Sequence, residues 1–165
     1  MRERRRKVER LLAAGGMLAL LTTALGGCGL FGDDEPPKEE TSVFSVRPGQ
    51  CFQAQSEVKA QISHLDRVDC SAQHGMESYA VLEFQAPDGV PIEGYPGDDA
   101  LTKFADGACA DAFGKYVGVI YLDSSLFYTY LVPSARSWED DDRNVVCFVV
   151  GSGEQLRGSA KGSKL

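Results

Sequence analysis

The sequence predicts an α+β domain: a small, mostly antiparallel sheet with one packed helix and two disulfides. Three observations carry that reading. Apolar residues recur at helical spacing from Leu101 to Tyr116, a β-branched run occupies Val145 to Val150, and the downstream cysteines form an even set, Cys51, Cys70, Cys109 and Cys147. A pure β-sandwich is the alternative architecture, and the helical stripe weighs against it.

The chain opens with a basic segment, Met1 to Lys7, followed by an apolar stretch from Leu11 to Leu25 and then Gly26-Gly27-Cys28. The stretch falls short of the ~20 residues that a spanning helix needs, and small residues ahead of a cysteine leave room for thiol alkylation and cleavage. Residues 1-27 therefore read as a bacterial lipoprotein signal peptide, with Cys28 as the lipid-bearing first residue of the mature chain. Diacyl and palmitate-type chains on that cysteine would anchor it stably, since burial contributes about 0.8 kcal/mol per CH₂. Arg5-Arg6 admits twin-arginine export, but Glu9 and Arg10 interrupt the stretch where that signal turns apolar, so general secretion is preferred. The terminal Ser163-Lys164-Leu165 matches a peroxisomal address that an exported bacterial chain never presents to its receptor.

The leader holds six of the chain's 17 basic residues and two of its 24 acidic ones, which leaves 11 against 22 and a net charge of −11. So acidic a surface repels phosphates, which argues against nucleic acid as a partner and assigns membrane attachment to the acyl chains. The expected location is the extracytoplasmic face of the cell membrane.

Residues 28-45 read as the lipidated cysteine and a disordered tether, because Asp33-Asp34-Glu35-Pro36-Pro37-Lys38-Glu39-Glu40 has little with which to build a core. Such a tether holds a domain on the order of 20 Å from the bilayer. Residues 46-150 form the folded domain, and residues 151-165, rich in Gly, Ser and Lys, read as a flexible tail. A domain this small buries its surface inefficiently, and cysteines in an oxidising compartment compensate.

Within the domain, Cys51 and Cys70 bracket a weakly alternating segment, Lys59 to Arg67, and are expected on neighbouring strands of a meander. Ser78 to Gln85 and Phe127 to Val132 are further strands, with Pro87-Asp88-Gly89 turning after the first. The helix takes Asp98 or Asp99 as its N-cap and stops at Gly118, while Leu101, Phe104, Ala105, Ala108, Cys109, Ala112, Phe113 and Tyr116 share one face. Asn144 to Val150 reads as a central strand covered on both sides. Four cysteines allow three pairings. The local pattern favours Cys51 with Cys70, and Cys109 on the helix with Cys147 on the central strand. A zinc site built from these thiols with His64 or His74 is disfavoured, because no Cys-x-x-Cys pair is present.

Several short motifs occur in one order: Gly49-Gln50-Cys51-Phe52; Val68-Asp69-Cys70 followed by His74 and Glu77; Tyr95-Pro96-Gly97 ahead of the helix with Cys109 and Tyr116; then Pro133, Trp138, Asp142-Arg143 and Val146-Cys147. Together they resemble the septum formation domain of actinobacterial envelope proteins and lipoproteins. Gln73 stands where that family has a proline before the histidine, and Asp141 where it has a glycine. The resemblance implies a membrane-tethered envelope module associated with cell division, with no enzyme activity firmly attached to it.

The residues agree on class, since the chain lacks a nucleophile elbow, a metal-ligand series and a phosphate loop. His74 and Glu77 are the best placed for acid–base chemistry, with Ser71 as a conceivable nucleophile for an envelope hydrolase. A histidine following a disulfide-bonded cysteine more often bonds backbone at a turn, and His64 reads as an exposed strand residue. Glu139-Asp140-Asp141-Asp142 offers oxygens to calcium, but its contiguous spacing differs from the EF-hand loop, so a solvated turn with Arg143 pairing one carboxylate is expected. Trp138 reads as a core anchor, with a partner interface as the alternative. The expected function is thus a non-catalytic binding or scaffold module without cofactor or metal, engaging an envelope or division protein. A calcium- or wall-ligand-binding domain is the other non-enzymatic reading.

Overall fold

The computed structural model describes residues 37–54, 62–87, 89–90 and 92–165. The leader, Cys28, the start of the tether, Lys59 to Gln61 and Asp88 lie outside the described residues. Eight strands occur among those described: β1 (Glu39–Ser42), β2 (Cys51–Phe52), β3 (His64–Val68), β4 (Gln73–His74), β5 (Met76–Glu83), β6 (Phe127–Leu131), β7 (Asn144–Val150) and β8 (Leu156–Arg157). The helices are α1 (Asp98–Val117) and the short α2 (Ala135–Glu139). Neither is long and apolar enough to cross a membrane.

Six strands form one antiparallel sheet in the order β1-β3-β2-β5-β7-β6, and β4 pairs with β8 in a second, two-stranded sheet. The predicted α+β class holds, and β7 is central, with β5 on one side and β6 on the other. Its apolar run resolves into two alternating faces. Val145, Cys147 and Val149 join the core under α1, whereas Val146 and Phe148 join Val46, Phe52 and Leu65 on the opposite face.

Helix α1 buries Leu101, Ala105, Cys109, Phe113 and Val117, each four residues from the last, as the sequence stripe requires. Gly118 ends it in the left-handed region at φ 92°, its amide donating to Gly114 O at 3.0 Å. The N-cap differs from expectation. Gly97, at φ 93°, holds that position without a side-chain cap, and Asp98 and Asp99 lie in the first turn, where their charges complement the helix dipole.

A bulge between Ser78 and Ala80 lets both Tyr79 and Ala80 face α1. The Tyr79 ring packs edge-on against Phe113, and its hydroxyl donates to Cys109 O at 2.8 Å. Strand β5 begins two residues before the expected Ser78, because Met76 and Glu77 pair with Phe52 and Cys51.

Both expected disulfides are present, with Cα separations of 5.2 Å for Cys51–Cys70 and 5.7 Å for Cys109–Cys147. The second ties α1 to β7. Cys70 is in a turn rather than on a strand: β3 ends at Val68, and Asp69 redirects the chain by accepting from the Ser71 amide while Ala72 N donates to Asp69 O.

The folded unit is wider than 46-150 at both ends. Glu39 to Ser42, assigned above to the tether, pair as β1 with Arg67 to His64 of β3. The segment expected to be a loose tail supplies β8 and the buried Ala160, and its Gly162 and Lys164 amides donate to Tyr116 O and Val117 O. Three of its glycines serve by backbone conformation rather than by close approach, since Gly153, Gly158 and Gly162 take φ 98°, 80° and 66° with open space where a side chain would stand.

Candidate functional site

The residues singled out for chemistry converge where β2, β4 and β5 meet the C-terminal segment. Cys51 and Glu77 are direct cross-strand neighbours, so their side chains share a face. His74 enters from β4, held by its pairing with Leu156 of β8. Among the described residues this is the one group of three His, Cys, Asp or Glu side chains whose ligand atoms converge: Cys51 Sγ, a His74 ring nitrogen and a Glu77 oxygen lie within 4.8 Å of one another.

Glu77 is fully buried, and both its oxygens are accepting. Oε1 takes hydrogen bonds from the Tyr116 and Ser159 hydroxyls, each at 2.5 Å, and Oε2 takes one from the Ala160 amide at 2.6 Å. Three donors stabilise a carboxylate that burial would otherwise destabilise. Burial, and then the bond to Glu77, push the Tyr116 phenol well above its ordinary value, so it remains a donor. None of these partners is visible from local pattern, since they stand 39, 82 and 83 residues from Glu77.

His74 is fully buried as well. Its Nδ1–H donates to Ala72 O at 2.9 Å, the turn bond expected of it, while Nε2 is buried without a hydrogen-bond partner. Cys51 is committed to the disulfide, so the cluster has no thiolate to offer a metal. Ser71 is not turned toward His74 as a nucleophile. Its hydroxyl donates to Asp69 Oδ1 at 2.7 Å, a bond that lowers the Asp69 carboxyl from its ordinary value. His64 is exposed on β3, 3.8 Å from Glu40.

The second set, Trp138 and Arg143, is built around α2, whose Ser134 and Ser137 form a reciprocal capping box. Trp138 is 3% exposed, its indole N–H donates to Glu93 O at 3.0 Å, and Phe84 and Tyr95 meet it edge-on. Arg143 lies over the ring at 3.9 Å, donates to Trp138 O at 2.6 Å and approaches Asp141 at 3.6 Å. Trp138 is therefore a core anchor and Arg143 its clamp. In the acidic run, Asp142 Oδ1 accepts from the Asn144 amide, and Asp141 takes φ 62° where the turn reverses.

On the sheet face away from α1, a groove of about 520 Å³ is lined by Val43, Phe44, Val81, Leu131, Arg136 and Asp142, among others. Phe44 is 65% exposed there.

Comparison with known proteins finds no match among curated proteins or solved structures. A family model described as septum formation matches residues 33–159, a span that includes both disulfides, α1, the buried His74–Glu77 cluster and the Trp138–Arg143 clamp. The match covers most of the chain, and the chain belongs to the septum formation family.

Proposed function

We propose that this protein is a membrane-tethered, non-catalytic binding and scaffold module of the bacterial cell envelope that acts in septum formation by engaging another envelope or division protein. The observation that carries this reading is the burial of His74 and Glu77, which have no exposed surface and so offer nothing to a substrate. Glu77 spends both oxygens on Tyr116, Ser159 and Ala160, which makes it a brace between sheet, helix and C-terminal segment. Family membership supports the link to septation. Two disulfides in so small a domain support an oxidising location, in keeping with lipidation at Cys28.

The groove beside Phe44 is the surface assigned to the partner, because its apolar walls and the flanking Arg136 and Asp142 suit a protein segment with apolar and charged positions. A photoreactive residue at position 44 of the full chain in its native host tests the assignment. A discrete adduct with one envelope or division protein, formed at the septum, is expected. Absence of any adduct through the division cycle overturns the scaffold reading, and an unacylated N-terminus in the intact mass overturns the tether.

A further inference from the structure

We propose that Cys51–Cys70 is an exchangeable disulfide, opened by an external dithiol that attacks Cys70 while His74 supplies the proton to the departing Cys51 thiolate. The inference rests on the geometry of the cluster and is independent of the scaffold reading.

The two sulfurs of this bond are unlike. Cys70 belongs to the surface turn after β3 and is partly exposed, whereas Cys51 is 1% exposed. In the proposed reaction a thiolate from solvent attacks the sulfur of the more exposed Cys70, and Cys51 is then the leaving group. A thiolate leaving into a buried environment is unfavourable unless a proton donor or positive charge is at hand. That part is assigned to His74, because Cys51 Sγ, a His74 ring nitrogen and a Glu77 oxygen lie within 4.8 Å of one another. Nδ1 is spent on Ala72 O, and Nε2 is the buried atom with no partner, an arrangement that hydrogen bonding within the fold leaves unexplained. Glu77 of β5 supplies the balancing negative charge and is itself held by Tyr116 of α1 and by Ser159 and Ala160.

The other disulfide has none of these features. Cys109 and Cys147 are both fully buried between α1 and β7, and neither belongs to a convergent group of titratable side chains among the described residues.

In the first step a dithiol, having lost one proton to solvent, attacks the Cys70 sulfur through its thiolate. A mixed disulfide forms at Cys70, the bond to Cys51 breaks, and its electron pair remains on the Cys51 sulfur. The Cys51 sulfur takes its proton at the His74 ring, and the ring regains one from solvent. The second thiol of the reductant loses its proton, attacks its own partner sulfur and releases Cys70, which is protonated from water. The dithiol has become a disulfide, and the protein holds two thiols.

Exposure of the folded full chain to dithiothreitol, with alkylation and mass spectrometry of each cysteine pair across a range of pH, tests this. Under native conditions Cys51–Cys70 is expected to open while Cys109–Cys147 stays closed, and His74→Gln is expected to slow the opening about tenfold at equal reagent thiolate and to remove a step from the pH profile. Opening of Cys109–Cys147 reports global unfolding in the same sample, so a variant that merely loses stability is recognised by loss of both bonds together. If the two disulfides open only together, or if His74→Gln exchanges at the wild-type rate with an unchanged pH profile, the proposal is wrong.

Discussion

The Glu77 carboxylate accepts a hydrogen bond of 2.6 Å from the Ala160 backbone amide, across 83 residues of chain. With Tyr116 and Ser159 it closes a buried junction between β5, α1 and the C-terminal segment. A buried donor deprived of its acceptor loses its hydration without compensation, so truncating the acceptor is more damaging than truncating one donor. Glu77→Ala is expected to lower stability by about 3 kcal/mol or more, and Tyr116→Phe by about 2 kcal/mol. Ser159→Ala should have the smallest effect, since Ser159 is exposed. Urea unfolding of the oxidised protein measures all three. Similar losses for Glu77→Ala and Ser159→Ala would contradict a central role for the carboxylate.

Much of the fold was legible because it rests on periodicity. Leu101, Ala105, Cys109, Phe113 and Val117 announce a buried helix face, and the β-branched run around Cys147 announces a strand covered on both sides. The junction at Glu77 was not legible, because its donors are separated from it by long stretches of chain and one of them is a backbone amide. Composition misled at the C-terminus. Gly158, Ser159 and Ala160 resemble a linker, yet Gly158 N donates to Cys70 O and Ala160 is buried in the helix-side core.

The disulfides close loops of different length, with sequence separations of 19 for Cys51–Cys70 and 38 for Cys109–Cys147. The chain-entropy relation assigns them about 3 and about 4 kcal/mol. Replacing Cys109 and Cys147 with alanine should therefore destabilise more than replacing Cys51 and Cys70, and cavity formation beside α1 widens the gap. Differential scanning calorimetry of the two double variants provides the comparison. The reverse order of melting temperatures would refute it.

Asp141 occupies a left-handed backbone conformation at φ 62°, a region that favours glycine. A side chain at that φ is disfavoured, less for aspartate than for most residues. Its ion pair with Arg143 offsets little, because the Asp141 side chain is 99% exposed. Asp141→Gly should raise stability by about 0.5 kcal/mol, visible as a higher melting temperature with the Arg143–Trp138 contact unchanged. A lower melting temperature would mean that the Arg143 pair outweighs the backbone strain.

Glycine at position 75 has the opposite requirement. A Cβ there would lie 2.5 Å from Ala54 N, on backbone that cannot yield cheaply, and the Gly75 amide donates to Phe52 O at 2.9 Å. Gly75→Ala should destabilise by about 2 kcal/mol and loosen the strand that carries Cys51. Amide hydrogen exchange at Phe52 and Met76 reads this locally, and unchanged protection would show that the approach of the two segments is not needed.

Most of the tyrosines are held protonated by their surroundings, which makes alkaline stability a direct test of the packing. Burial raises Tyr79, Tyr116 and Tyr128 above the ordinary phenol value. Tyr130 is pushed up to about 12 by burial and by its hydrogen bond to Asp106, and Tyr95 to about 12 chiefly by its hydrogen bond to Asp98. An unfolded chain releases these protons near pH ~10, whereas the folded chain keeps them to higher pH. The stabilisation is complete below the unfolded value and is lost as pH rises through the folded values. Phenolate absorbance should therefore titrate later in the native protein than in denaturant, and stability should begin to fall near pH ~10. Asp106→Asn removes the charge facing Tyr130 and Tyr128, so it should bring part of that titration to lower pH. Coincident native and denatured titrations would mean that these rings are solvated, against the packing of Tyr79 on Phe113 and the hydrogen bonds of Tyr128 and Tyr130 to Asp106 of α1.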